Sequence, residues 1–255
     1  MSPEEEPLHG GNVSSVVRIG DTVRRTAGPW TPAVHALLDH LHAVGFRAAP
    51  RPLGVDEQGR EVLRWVPGRT PYPDTTPLDA PARLAAVARL VRDFHDAVAG
   101  FVPPPDAFWN VLVPADGAEL IAHHDLAPWN LVVRGEDLTL LDWDCAAPGT
   151  RLWDLAYALH GFLPLSAEAG QQHPDTVARL RLFVDSYGLD EADRVRLVPM
   201  LARRAGSMHD FLRDQAALGT APWTALWRAG HGAAWAADAV WTERRQEVWR
   251  SALLD

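Results

Sequence analysis

His123-His124-Asp125-Leu126-Ala127-Pro128-Trp129-Asn130 is the most informative stretch of this chain. It is followed by Leu131-Val132-Val133, a turn at Gly135-Glu136-Asp137, and a second apolar run that ends in Leu141-Asp142-Trp143-Asp144. A polar loop thus carries an acid and an amide five residues apart. The hairpin that follows folds the chain back and delivers a second acid, Asp142, beside that loop. Asp125, Asn130 and Asp142 can therefore converge, held by apolar strands. Two carboxylates and an amide oxygen are hard ligands, suited to a Mg2+ ion that keeps waters and phosphate oxygens in its shell. A carboxylate left off the metal can accept a proton from an attacking hydroxyl.

Upstream, two β-branched runs between 13 and 25 flank Gly20-Asp21, a hairpin signal. Thr31-Pro32 opens an apolar-periodic helix with Val34, Leu37, Leu38 and Leu41 at helical spacing, and Gly45 is its expected stop. Pro50, Pro52 and Gly54 break that pattern. Asp56 to Gly59 make a turn before a strand expected over Arg60–Val66. Pro67-Gly68, with Pro71 and Pro73, forms a connector, so the expected division is a β-rich lobe over 1–66, a hinge over 67–73 and a helical lobe over 74–255. Ala80–Val98 reads as an amphipathic helix with Leu84, Val87, Leu90, Val91 and Phe94 on one face. Helices are expected at about 153–162, 174–187, 191–217 and 223–253, with Arg179, Arg181, Arg194, Arg196, Arg203 and Arg204 on solvated faces. A cleft between two lobes is a usual place for a ligand.

Composition narrows the function classes. The chain has 255 residues, 47% of them hydrophobic and 22% charged, which excludes a disordered polymer. No stretch approaches the apolar length of a membrane span, and the acidic start MSPEEEPLHGG has no apolar run behind it, so a secretory signal is not expected. The lone Cys145 rules out an internal disulfide and fits a reducing, cytoplasmic setting. All 24 basic residues are arginine, which excludes Schiff-base lysine chemistry. The net charge of -9 and the absence of a basic tract speak against nucleic acid as a partner. Neither a membrane nor an obligate protein partner is indicated.

The loop matches the kinase catalytic pattern H-x-D-L-x-x-x-N, and Asp142-Trp143-Asp144 stands where kinases place D-F-G. The chain resembles more closely the aminoglycoside phosphotransferase and choline kinase-like family, whose loop reads H-G-D-L-x-P-x-N. Its second motif reads I-D-W-[ED], followed by Gly-Asp-x-x-x-Asp-Leu-Ala. The matching residues are His123, Asp125, Leu126, Pro128 and Asn130, then Asp142, Trp143 and Asp144, then Gly149 and Asp154-Leu155-Ala156. The resemblance implies an α+β, two-lobed protein-kinase-like fold and Mg2+-dependent transfer of the γ-phosphate of ATP or GTP to a hydroxyl. It further implies Asp125 as the catalytic base, with Asn130 and Asp142 holding Mg2+. His123 is expected to be a scaffold, Asp154 a helix cap or partner of the loop, and Asp144 either a second metal contact or structural. The short span from Asp142 to Asp154 leaves no room for a regulated activation loop, which favours a small-molecule acceptor. Whether that acceptor is an aminoglycoside, another antibiotic, choline or an amino sugar stays open.

The N-terminal lobe departs from the family. Gly10 to Ser15 sits where a nucleotide loop should lie, with Ser14 and Ser15 offering hydroxyls. The family's strand lysine is replaced by Arg24 or Arg25; strand alternation lets only one face the cleft, and Arg25 is favoured, with Val23 lining the adenine side. Helix 33–43 lacks the acid that normally pairs with the lysine and offers His35 and Asp39 instead. Leu63 to Gly68 resembles the hinge, whose backbone around Arg64 to Val66 would bind the base. His95 reads as a packed or capping residue. Asp210 and Asp214, four apart on one helical face, are candidates for a cationic acceptor, although Arg213 beside them favours an ordinary solvated face. Trp223, Trp227, Trp235, Trp241 and Trp249 line either a pocket or the core. Two other readings use the same residues. One is an iron site built from His123, Asp125 and one of His160, His173, His209 or His231. The other is a kinase-fold binding module without transfer.

Overall fold

The computed structural model describes residues 5–8 and 16–255. The Gly10–Ser15 loop, and with it Ser14 and Ser15, lies outside the described residues.

Strands β1 (Glu6–Leu8), β2 (Val16–Ile19), β3 (Thr22–Thr26), β4 (Pro52–Val55) and β5 (Arg60–Arg64) form one antiparallel sheet in the order β1-β2-β3-β5-β4. The β2–β3 turn closes on Gly20, whose φ of 60° suits a glycine, and Thr22 Oγ1 donates back to Ile19 O at 2.7 Å. Helix α1 (Thr31–Ala43) begins with Pro32 in its first turn and stops just before Gly45 (φ 94°). Its Val34, Leu37, Leu38 and Leu41 are fully buried against the neighbouring core. Asp56 caps the β4–β5 turn by accepting from the amides of Gln58 and Arg60 at 3.0 and 2.9 Å.

The connector is not a free linker. Arg69 exchanges both backbone hydrogen bonds with Val133, at 3.0 and 2.9 Å, which joins it to a hairpin in the helical half. Gly68 allows that approach, because a Cβ there would lie 2.7 Å from Val133 O.

Helix α2 (Pro81–Val98) packs on α4 (Thr176–Tyr187). Between them the chain forms two small antiparallel pairs. Strand β6 (Leu120–Ala122) pairs with β9 (Ala147–Gly149), and β7 (Leu131–Arg134) pairs with β8 (Asp137–Leu140). Helix α3 (Arg151–Phe162) follows, N-capped by Thr150, which accepts from Trp153 N. The long α5 (Glu191–Ala217) then contacts α3 and the C-terminal helices α6 (Trp223–Arg228), α7 (His231–Glu243) and α8 (Gln246–Leu254). Among the described residues no helix is long and apolar enough to cross a membrane.

Two expectations are corrected. The stretch 223–253 is three helices rather than one continuous run, broken first where Gly230 takes a φ of 93° and again at Arg244-Arg245. Two of the supposedly solvated arginines are buried. Arg179 donates to Asp79 O and Leu78 O at 2.7 and 3.2 Å, tying α4 to the start of α2. Arg204, on α5, lies over the rings of Trp153 and Tyr157, 5.1 and 4.4 Å from their centroids, and reaches His124 O. Stacking on aromatic faces lets a guanidinium sit inside a core. Of the tryptophans, Trp249 is fully buried in the core, and Trp235 stacks on His160 and Tyr157.

Candidate active site

The loop is hung from one buried carboxylate. Asp154, in the first turn of α3, accepts the amides of His123 and His124 at 2.9 and 2.8 Å, and His95 Nε2 donates to it at 3.1 Å. His95 in turn meets the Tyr187 hydroxyl at 2.7 Å. Burial would raise the Asp154 pKa, but the His95 hydrogen bond and the surrounding histidines outweigh it and hold the carboxyl well below its ordinary range. This grip keeps His124 at φ 66°, a left-handed position where the family pattern has glycine. The His124 ring lies on Gly149, where a Cβ would come within 2.9 Å of it. Burial lowers the His124 pKa, and Nε2 donates to Ala147 O at 3.2 Å.

His123 supports the loop from beneath. Its Nε2 donates to Leu141 O at 3.0 Å, its Nδ1 accepts from the Asp125 amide at 3.3 Å, and its ring packs 4.6 Å from Trp143. Above it, both Asp125 oxygens are held: Oδ1 accepts from the Tyr157 hydroxyl at 2.9 Å and Oδ2 from Asn130 Nδ2 at 2.7 Å. The same Nδ2 donates to Asp125 O at 2.9 Å, which turns the amide oxygen of Asn130 away from these bonds. Burial, with the nearby charge of Asp142, pushes the Asp125 pKa up. The three residues singled out from the sequence are thus brought together. Burial, with the charges of Asp125, Asp142 and Asp144, raises the pKa of the Cys145 thiol well above normal.

Arg25 crosses from the sheet to this cluster. Its Nε donates to Glu61 on β5, NH1 to Asp142 Oδ1 at 2.9 Å, and NH2 to Asp144 Oδ1 at 2.6 Å. Arg24 points to the opposite face, 3.4 Å from Asp56. Asp142 has a φ of 56°, a second left-handed residue, set between the buried Trp143 and the end of β8. Asp144 is raised to about 6 by burial and by the charges of Asp142 and Glu61, against the lowering effect of Arg25.

Glu61 is a residue that the motifs did not reveal. It sits directly across from Arg25 in the β3–β5 register, and His35 Nε2 on α1 donates to its other oxygen at 2.8 Å. Strand alternation carried the signal, since Val23 and Arg25 pair with Leu63 and Glu61. Asp39 is exposed. Tyr157 was also missed; it lies three residues after Asp154, one turn further along the same helix.

Other candidates are placed elsewhere. Arg64 pairs with Asp21 at the surface, and its amide, like that of Trp65, is already bonded at 2.8 Å to a backbone oxygen. The Val66 amide has no hydrogen-bond partner among the described residues. Asp210 and Asp214 both bind Arg213 at 2.8 Å on an exposed face of α5, as a local ion-pair group. His160 donates to Asp238 at 3.0 Å and His209 meets Gly232 O at 2.9 Å, so neither completes a site with His123 and Asp125. Among the described residues no three His, Cys, Asp or Glu side chains form a preformed metal cage. Mg2+ carried by nucleotide phosphates needs no such cage, only one or two protein oxygens. The Asn130 amide oxygen, which takes no part in the Nδ2 bonds, and the second oxygen of half-exposed Asp142 fit that demand. So does the surplus of Asp125, Asp142, Asp144 and Glu61 over the guanidinium of Arg25.

Residues 106–183 match the sequence model of the phosphotransferase enzyme family (APH). The chain is 32% identical over 259 residues to a trifolitoxin immunity protein of Rhizobium leguminosarum bv. trifolii, covering 91% of this chain and 94% of that protein. Its fold is similar to that of a choline/ethanolamine kinase family protein from Mesorhizobium loti, with a TM-score of 0.63, 19% identity, and 98% and 93% of the two chains covered. An amicoumacin kinase superposes with a TM-score of 0.67 at 14% identity over 95% and 88%. An aminoglycoside 2'-phosphotransferase gives 0.62 at 14% over 97% and 94%. Motifs, fold and whole-length likeness agree: the chain belongs to the phosphotransferase enzyme family, on a two-lobed kinase-like fold.

Proposed function

We propose that this protein is a small-molecule kinase that moves the γ-phosphate of ATP or GTP to an acceptor hydroxyl. The observation that carries this reading is Asp125, with both carboxylate oxygens fixed by Tyr157 and Asn130 beside Asp142 and Arg25. In the transfer, Asp125 orients the acceptor hydroxyl and takes its proton as the acceptor oxygen bonds to the γ-phosphorus. The bridging P–O bond breaks and the nucleoside diphosphate leaves with its electron pair. Asn130 and Asp142 would hold Mg2+, which when bound neutralises charge on the β- and γ-phosphates. Arg25 supplies the fixed positive charge on the sheet side, and the Val66 amide offers a donor to the base. Preorganised charge and position do most of the catalytic work in such reactions. The Gly10–Ser15 loop, with Ser14 and Ser15, is assigned to the phosphates by its place in the sequence.

The likeness to a trifolitoxin immunity protein, and the fold shared with an amicoumacin kinase, support a toxin or antibiotic as the acceptor. The test is Mg2+-dependent ADP and GDP release across a panel of antibiotics, aminoglycosides, amino alcohols and sugars. Mass detection of the phosphorylated acceptor accompanies it, with Asp125→Ala as control. Transfer that vanishes in the control supports the reading. Nucleotide binding with no transfer to any acceptor would instead favour the binding module.

A further inference from the structure

We propose that Glu61 is the positioning residue for Arg25, and that with His35 it forms a buried brace that aims the guanidinium at the nucleotide phosphates. The proposal rests on the nucleotide reading above. Three observations carry it. Glu61 is 1% exposed, and each of its oxygens has one partner, His35 Nε2 on Oε1 and Arg25 Nε on Oε2. The brace is built from three elements, α1, β3 and β5, and Arg25 stands directly opposite Glu61 in register.

The partners at the other end of the guanidinium differ in kind. Asp142 is half exposed and Asp144 a quarter exposed, against 1% for Glu61. They lie on the segment after β8, in the helical half. Asp142 can therefore turn to an arriving cation and release Arg25 NH1 for a phosphate oxygen. Glu61 has no such freedom, because both its oxygens are bonded and it is walled in. The planar guanidinium thus keeps one edge locked through Nε while the other edge exchanges carboxylates for phosphate. Without Glu61 the same cation would settle onto Asp142 and Asp144 and compete with the metal for them.

Glu61→Gln keeps the shape and removes the charge. Calorimetric titration of the full chain with ATP and GTP, at several fixed Mg2+ concentrations, should show binding about tenfold weaker, the loss expected for one charge-assisted hydrogen bond. The Mg2+ concentration that gives half-maximal nucleotide binding should also rise, a change that a purely structural role would not produce. His35→Ala should shift both quantities in the same direction by a smaller factor, and it carries the test should Glu61→Gln fail to fold. A wild-type chain that binds nucleotide beside variants with unchanged affinity and Mg2+ dependence would overturn the brace alone. A wild-type chain that binds neither nucleotide would overturn the nucleotide reading and the brace with it.

Discussion

The Tyr157 hydroxyl donates to Asp125 Oδ1 at 2.9 Å, so the proposed base is gripped from helix α3 as well as from its own loop. Burial and Asp142 raise the Asp125 pKa, while the Tyr157 and Asn130 hydrogen bonds favour the charged form and hold it down. Transfer needs the ionised carboxylate, so the rate falls as pH drops through this raised pKa. Tyr157→Phe removes one stabiliser of the charged form and raises the pKa further. The acid limb of a kcat–pH profile should therefore move to higher pH, with a loss at neutral pH of up to about tenfold. An unmoved limb would separate Tyr157 from the base.

Asp125→Asn keeps the shape of the side chain and removes the proton acceptor. Turnover should fall by roughly 10²–10⁴-fold, the usual share of general-base catalysis. Mg2+-nucleotide affinity, read by titration, should stay near wild type, because Asp142 and Arg25 are untouched.

Arg24 and Arg25 are neighbours with opposite surroundings. Removing Arg25 strands the buried Glu61, and Arg25→Ala should cost about 3–5 kcal/mol of stability and raise the nucleotide KM strongly. Arg24→Ala breaks only a partly exposed pair with Asp56, worth about 0–1 kcal/mol, and should leave the KM nearly unchanged. Denaturant unfolding and initial-rate kinetics check the two halves separately. Equal effects from both variants would contradict the orientation of strand β3.

Asp154 links the loop to pH-dependent stability. Its folded pKa lies well below the unfolded value of about 3.9, so its contribution is complete above that value and is lost as pH falls beneath it. Asp154→Asn leaves one carbonyl oxygen for three donors and should destabilise the chain by about 3–5 kcal/mol at neutral pH. In Asp154→Asn the decline in thermal midpoint below about pH 4 should be shallower than in wild type. A parallel decline would place the acid sensitivity elsewhere.

Much of the helical half was legible because its signals are local. The spacing of Asp125 and Asn130, the Gly135 turn and a helix start near Trp153 each occupy a few residues of chain. The periodic apolar faces of α1 and α2 were legible for the same reason, since Leu37, Leu41, Leu84 and Val91 are buried at helical spacing. The C-terminal breaks were less visible, because an isolated glycine such as Gly230 is tolerated inside many helices.

By itself the sequence determined which residues the loop offers, the change from a β-rich to a helical half, and the absence of any lysine to contact phosphate. Only the tertiary structure decided what the arginine has as partners. Arg25 and Glu61 are 36 residues apart, and Asp144 is another 83 residues on from Glu61. Their meeting depends on strand register and on how the sheet sits against the hairpin that follows Asn130. The fate of Arg204 was decided in the same way. A guanidinium on an amphipathic helix reads as solvated until two aromatic faces from another helix enclose it. Local spacing specifies which groups a chain can offer; burial and register, which are sums over distant contacts, select the partners that set their charge and aim.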